Sequence, residues 1–140
     1  MDVSYTDNLE GFTADQLQGF FVDWLTYPDA EAHLRILAGS YKVWLAMDGQ
    51  QCVGRINAIS DGVFYAYIPL LEVLPAYRGK GIGRELVKRM IDSLSSMYAI
   101  DLQCDETLKG FYQQLGFSSK IGMIIRNREH SKANGQITRE

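Results

Sequence analysis

The sequence predicts a mixed α/β domain built on a mostly antiparallel sheet. Three observations carry that reading. Three strand-like runs, 41–47, 51–60 and 63–73, follow one another across the turn signals Asp48-Gly49 and Asp61-Gly62. The third run passes through a glycine-rich stretch, Glu72 to Arg84, into a segment with Leu86, Met90, Ile91 and Leu94 at helical spacing. Further on, Leu108, Phe111, Tyr112 and Leu115 fall at i, i+3, i+4 and i+7 and mark a second amphipathic helix.

Each element has its own local signal. Val3 to Thr6 reads as a short edge strand. Thr13 with Gln16 has the form of a capping box and opens a helix carrying Leu17, Phe20, Phe21, Trp24 and Leu25. Tyr27-Pro28-Asp29 breaks it, and a second helix runs to Ala38 with Gly39 as its stop. Leu34, Ile36 and Leu37 give that helix its apolar face, and His33 is placed on its polar side without a role. Trp24 reads more readily as core than as a ligand contact. Gly54, inside the second strand run, marks a bulge or a close approach. Pro69 is out of place in a central strand, because it has no N–H for the ladder. Ala99 to Cys104 and Ser118 to Arg126 read as the last two strands, the latter with Ile121, Met123 and Ile125 alternating. Residues 127–140 are polar without apolar period, and the expectation is a partly disordered tail after one domain spanning 1–126.

Composition narrows the function classes. At 140 residues, with 46% hydrophobic and 22% charged residues, the chain can bury a core as one domain. A net charge of −3 gives no global case for nucleic-acid binding. Cys52 and Cys104 make neither a disulfide framework nor a metal spacing, so both read as buried thiols of a reducing cytoplasm. The sequence shows no signal peptide and no long apolar span.

The chemistry concentrates at the strand-to-helix junction. The first turn of a helix has N–H groups without internal partners and a partial positive charge, so it is a natural anion site. Gly79, Gly81 and Gly83 free the backbone to bend there, and Arg78, Lys80 and Arg84 surround it with cations. This is a pyrophosphate cradle. The nucleoside-triphosphate loop pattern is absent, and Arg84 stands where a dinucleotide fingerprint needs its third glycine.

What is present is Arg78-x-x-Gly81-x-Gly83 after Leu71-x-Val73-x-Pro75, with Phe111-Tyr112-x-x-x-Gly116-Phe117 downstream. The two together resemble the GNAT superfamily of acetyl-coenzyme A-dependent N-acetyltransferases. That resemblance implies a mixed, mostly antiparallel sheet of six to seven strands, splayed between the fourth and fifth, with about four helices. It places acetyl-coenzyme A, as co-substrate, on Leu71, Val73, Arg78, Gly79, Lys80, Gly81, Ile82, Gly83, Arg84 and Asp105. Many relatives have asparagine seven residues before the tyrosine, where Asp105 stands, and an ionised aspartate cannot donate a hydrogen bond. The resemblance points Tyr112 at the cofactor sulfur as proton donor and sets Glu72 beside the acetyl group as the best base by position, a solvent-facing or core-paired carboxylate being an equal alternative. Trp24, Tyr27 and Tyr65 are the candidate acceptor contacts, with a plain packing role as the alternative for Trp24 and Tyr65.

The expected reaction is direct attack of a small molecule's primary amine on the thioester through a tetrahedral intermediate. Cys52 and Cys104 lie outside both motifs, so no acyl-enzyme is expected. A protein lysine or N-terminal acetyltransferase and a non-catalytic coenzyme A sensor stay open, as does a homodimer. No metal, nucleic acid or membrane partner is expected.

Overall fold

A computed structural model describes residues 2–127 and 136–139. Five strands form the main sheet: β1 (Ser4–Thr6), β3 (Lys42–Asp48), β4 (Gln51–Ser60), β5 (Tyr65–Val73) and β6 (Ala99–Leu102). Their order is β1-β3-β4-β5-β6, antiparallel except for the parallel pair β5/β6. A separate two-stranded sheet pairs β2 (Thr26–Pro28) with β7 (Gln136–Thr138). The helices are α1 (Ala30–Ala38), α2 (Ile82–Ser93) and α3 (Lys109–Gln114). This is the expected class of fold, although among the described residues the main sheet has five strands rather than six or seven, the other two forming a sheet of their own, and there are three α-helices rather than about four.

The sheet is covered on both faces. On one, α2 sets Ile82, Leu86, Val87 and Met90 against Ala46, Ile56, Ala58, Ala66 and Ile68, and Tyr112 joins the same cluster. Gly54 lets the helix come close: a Cβ there would lie 3.2 Å from both Ile82 Cγ2 and Leu86 Cδ1. The bulge expected near Gly54 falls one residue earlier, since the β3/β4 register passes from Met47↔Cys52 to Ala46↔Gly54 and skips Val53. The other face buries Leu17, Phe20, Phe21, Leu37, Val43, Leu45, Met47 and Cys52.

The opening of the sheet has a legible cause. Between Asn57↔Leu70 and Ile59↔Tyr67, β5 carries one residue more than β4, and Pro69 sits in that excess. Pairing of β5 with β6 runs from Tyr65↔Ala99 to Ile68↔Leu102 and stops. From Pro69 to Val73 the outer edge of β5 has no strand beside it among the described residues.

Four expectations need correction. The helix expected after Thr13 is a single turn, Ala14–Leu17. Gln16 Oε1 does accept the Thr13 N–H at 2.9 Å, but Gly19 (φ 94), Phe21 (φ 64) and Asp23 (φ 68) turn the chain left-handed and end it. Trp24 is not core but 46% exposed, because that lost helix would have turned it inward. Residues 118–126 are not a strand: the segment has no regular structure, is exposed, and pairs with no strand within the described part of the chain. The tail forms a strand at 136–138, since Gln136, Ile137 and Thr138 find the free edge of Thr26–Pro28; the rest of it, 128–135 and 140, lies outside the described residues.

Candidate active site

The cradle is built as its residues require. Gly79 (φ 76) and Gly81 (φ 84) are left-handed, a region that side chains with a Cβ rarely adopt, and a Cβ on either would meet nothing within 4 Å. The backbone here is therefore open to a ligand. Gly81 caps α2, and its carbonyl accepts the N–H of Glu85 at 3.0 Å, leaving the N–H groups of the first turn free of intrahelical partners. The loop is pinned from below. Tyr77 donates its hydroxyl to Asp48, Leu74 N–H bonds Val53 O at 2.8 Å, and Arg78 Nε bonds Val73 O at 3.0 Å. Arg78 thus braces the strand end as well as adding charge. These residues fit a diphosphate.

Alongside lies a groove of about 380 Å³ between α2 and α3, lined by Arg84, Lys88, Ile91, Asp92, Gln114 and Leu115. Lys88 and Gln114 were not singled out from sequence. Lys88 stands four residues after Arg84 on one helix face, and that spacing was the available signal.

Tyr112 is buried in α3 between the rings of Phe111 and Phe117, at 5.0 and 5.7 Å in edge-to-face contact. Burial, with a smaller push from Cys104, raises its hydroxyl to about 12. It therefore keeps its proton at neutral pH. Phe111 Cζ lies 3.9 Å from where a Gly83 Cβ would be, so the tyrosine's helix abuts the cradle. Cys104 is exposed in the turn after β6, a correction to its expected burial, because β6 closes two residues earlier at Leu102. Cys52 is buried as expected, and burial pushes its thiol up to about 12. Asp105 is exposed, and its side chain makes no cap bond.

Glu72 stands on the opposite face, and its carboxylate is engaged. Oε1 accepts the Phe21 N–H at 2.8 Å and Oε2 the Val22 N–H at 3.1 Å. Arg55 Nη2 approaches Oε1 at 3.4 Å. Arg55 is wholly buried between the rings of Phe20 and Phe21, at 5.1 and 5.0 Å. Its Nε donates to His33 Nε2 at 2.9 Å. A ring nitrogen that accepts is unprotonated, so His33 is neutral with its proton on Nδ1. Burial first, then the Arg55 charge, hold His33 down to about 3. His33 was expected on the polar side of its helix; it is 1% exposed. The signal was its place four residues before Leu37, on the buried face. For Arg55 the signal was a lone charge in an apolar strand, which needs a counter-charge.

Above this cluster is a cavity of about 220 Å³ bordered by Phe20, Phe21, Tyr27, Asp29, His33 and Arg139 among others. Arg139 stacks on Tyr27 at 3.9 Å and donates to the carbonyls of Phe21 (2.7 Å) and Trp24. Tyr27 is thus brought to the cavity. Trp24 packs edge-on to Phe21 at 5.1 Å but is not among the lining residues. Tyr65 is set apart: it begins β5, seven residues from Glu72 or roughly 24 Å along an extended strand, and its hydroxyl bonds Asp101.

A sheet that parts at a bulged strand, next to a glycine-built helix start, defines the acetyltransferase class of fold. The chain belongs to the GNAT family: residues 8–128 match the family model described as acetyltransferase (GNAT) domain. A Deinococcus radiodurans R1 crystal structure assigned to the acetyltransferases superposes with a TM-score of 0.89 at 38% identity, covering 93% of this chain and 92% of that one. Serotonin N-acetyltransferase 2, chloroplastic, of rice is 33% identical over 90 residues, 60% of this chain and 45% of its own length. GCN5-related N-acetyltransferase 1, chloroplastic, of Arabidopsis thaliana is 27% identical over 132 residues, 88% of this chain and 67% of its own. The chain thus spans about half to two thirds of these plant relatives. Among the described residues no helix is long and apolar enough to cross a membrane, and no group of three His, Cys, Asp or Glu is placed to hold a metal.

Proposed function

We propose that the protein is an acetyl-coenzyme A-dependent N-acetyltransferase acting on the primary amine of a small molecule. The observation that carries this is the left-handed, ligand-open pair Gly79 and Gly81 at the start of α2, beside the edge of β5 that no strand pairs among the described residues. First-turn N–H groups with Lys80 and Arg84 hold the diphosphate; Lys88 extends the cationic surface along α2. Leu71 and Val73 lie on the parted strand and offer their backbone to a peptide-like arm. When bound, acetyl-coenzyme A supplies the activated acetyl group, which passes to the amine nitrogen as sulfur leaves. Tyr112 Oη holds a proton at neutral pH and releases it to the departing sulfur.

The cavity on the far face receives the acceptor. At about 220 Å³ it is smaller than the sites of drug-sized ligands, which favours a small amine. Asp29 supplies a carboxylate for the ammonium, and Tyr27 an aromatic face. Glu72 does not line this cavity, and three donors already engage it. Its role is to hold the Phe20–Asp23 loop that forms the cavity wall, and the amine proton leaves to water.

The test is coenzyme A release with a panel of amines, serotonin included on the strength of the rice relative's name, alongside lysine peptides. Turnover with a small amine is the expected result. Tight coenzyme A binding without turnover on any amine would mark a sensor instead, and turnover confined to peptides would move the acceptor class.

A further inference from the structure

The cavity beside His33 carries more charge and more donors than a plain amine uses. Arg139 borders it, stacked on the Tyr27 ring at 3.9 Å and held by the carbonyls of Phe21 and Trp24. All three partners are neutral, and no carboxylate pairs with this guanidinium among the described residues. Both carbonyls take Nη1, so the donors of Nε and Nη2 are unspent among the described residues. A guanidinium presents its donors as a planar fork that matches a carboxylate.

A second donor opens on the same space. His33 is 1% exposed, and its Nε2 accepts from Arg55 Nε at 2.9 Å, which puts the ring proton on Nδ1. That N–H has no partner among the described residues. It is not sealed off either, for the one sealed side-chain polar atom there without a partner is Asn57 Oδ1. What the buried ring borders is the cavity. α1 also starts there, with Asp29 and Ala30 on the wall, so the positive end of its dipole faces the same volume. Negative charge is present as well: Asp29 Oδ1 accepts the Ala32 N–H at 2.8 Å as the cap, and its second oxygen is left over.

We infer that the acceptor is an amino carboxylate, an amine with a carboxylate close by, as in an amino acid. Arg139 and the His33 Nδ1–H take the carboxylate at the start of α1. The second oxygen of Asp29 and the face of Tyr27 take the amine side. Such a zwitterion answers both signs of charge, whereas a plain amine leaves Arg139 without a counter-charge. Arg55 is then a positioning residue, since its bond to Nε2 keeps the His33 proton on the side of the cavity. This rests on the reading of the cavity as the acceptor site.

The experiment sets each of a panel of L-amino acids beside its carboxamide, and 5-hydroxytryptophan beside serotonin. Two readouts are taken on the full chain: the rise in melting temperature with coenzyme A present, and coenzyme A release from acetyl-coenzyme A. Without the neighbouring carboxylate the amide's amine is less basic and more of it is neutral, so amine chemistry alone favours the amide. The expected result is a free acid that stabilises the protein where its amide does not, and exceeds it at least about tenfold in kcat/KM. Arg139→Gln should bring that ratio close to one through KM, while coenzyme A binding stays as in the parent and shows that the variant has folded. Arg139→Lys, which keeps the charge without the fork, should retain part of the ratio, and His33→Phe should lower it. Amides that match their acids throughout overturn the inference, as does an acid preference that Arg139→Gln leaves intact. Turnover of amines without preference for acids sinks this inference alone and leaves the acetyl-transfer reading standing. An acid that binds through Arg139 while no amine turns over supports it and removes that reading instead.

Discussion

Arg55 organises the face of the sheet that bears the cavity. A guanidinium enclosed by Phe20 and Phe21 finds its counter-charge in Glu72 and a neutral acceptor in His33. Glu72 in turn stabilises two residues of a left-handed loop by accepting successive N–H groups. Glu72→Gln places an amide donor against those donors, so it should lower the unfolding free energy by about 1–3 kcal/mol in urea titration. An unchanged midpoint, with activity lost, would make Glu72 a free base rather than a brace. Tyr112→Phe should reduce kcat by about 10²–10⁴-fold with coenzyme A affinity unchanged. In the parent no basic decline due to tyrosine ionisation should be seen below pH 10, since burial raises this hydroxyl to about 12.

At the scale of elements, α2 carries two glycines with different jobs. Gly81 is left-handed; Gly83 is not, and a Cβ on Gly83 would meet Val73 Cγ2 and Phe111 Cζ at ordinary distances of 3.7 and 3.9 Å. Gly81→Ala should cost about 1–2 kcal/mol and weaken coenzyme A binding. Gly83→Ala should leave the ligand-free melting temperature equal or higher, because alanine favours a helix over glycine. Scanning calorimetry with and without coenzyme A separates the two. Gly54→Ala acts elsewhere, pushing β4 off Ile82 and Leu86, and should cost about 1–3 kcal/mol by overpacking. The helix expected after Thr13 shows the limit of local signals. Its cap pattern is real, but the Glu72 carboxylate, 51 residues from Phe21 in the chain, bends the segment into a loop. No window of nearby residues contains that partner.

Over the whole molecule, the buried polar cluster sets the response to acid. An ordinary histidine titrates near 6.5, and His33 is held to about 3. Below pH 6.5 the unfolded chain takes up a proton that the folded chain refuses. His33's contribution to stability is therefore complete above 6.5 and is lost as pH falls towards 3. The melting temperature should decline across that window, and His33→Gln should flatten the decline. The sequence by itself determined the strand succession, the cradle and the Tyr112 helix, because glycine conformations, helix periodicity and turn residues act over a few neighbours. Tertiary structure alone decided the His33–Arg55–Glu72 cluster, the cavity closed by Arg139, and the exposed segment 118–127, which no strand pairs among the described residues, because each depends on which distant segments meet.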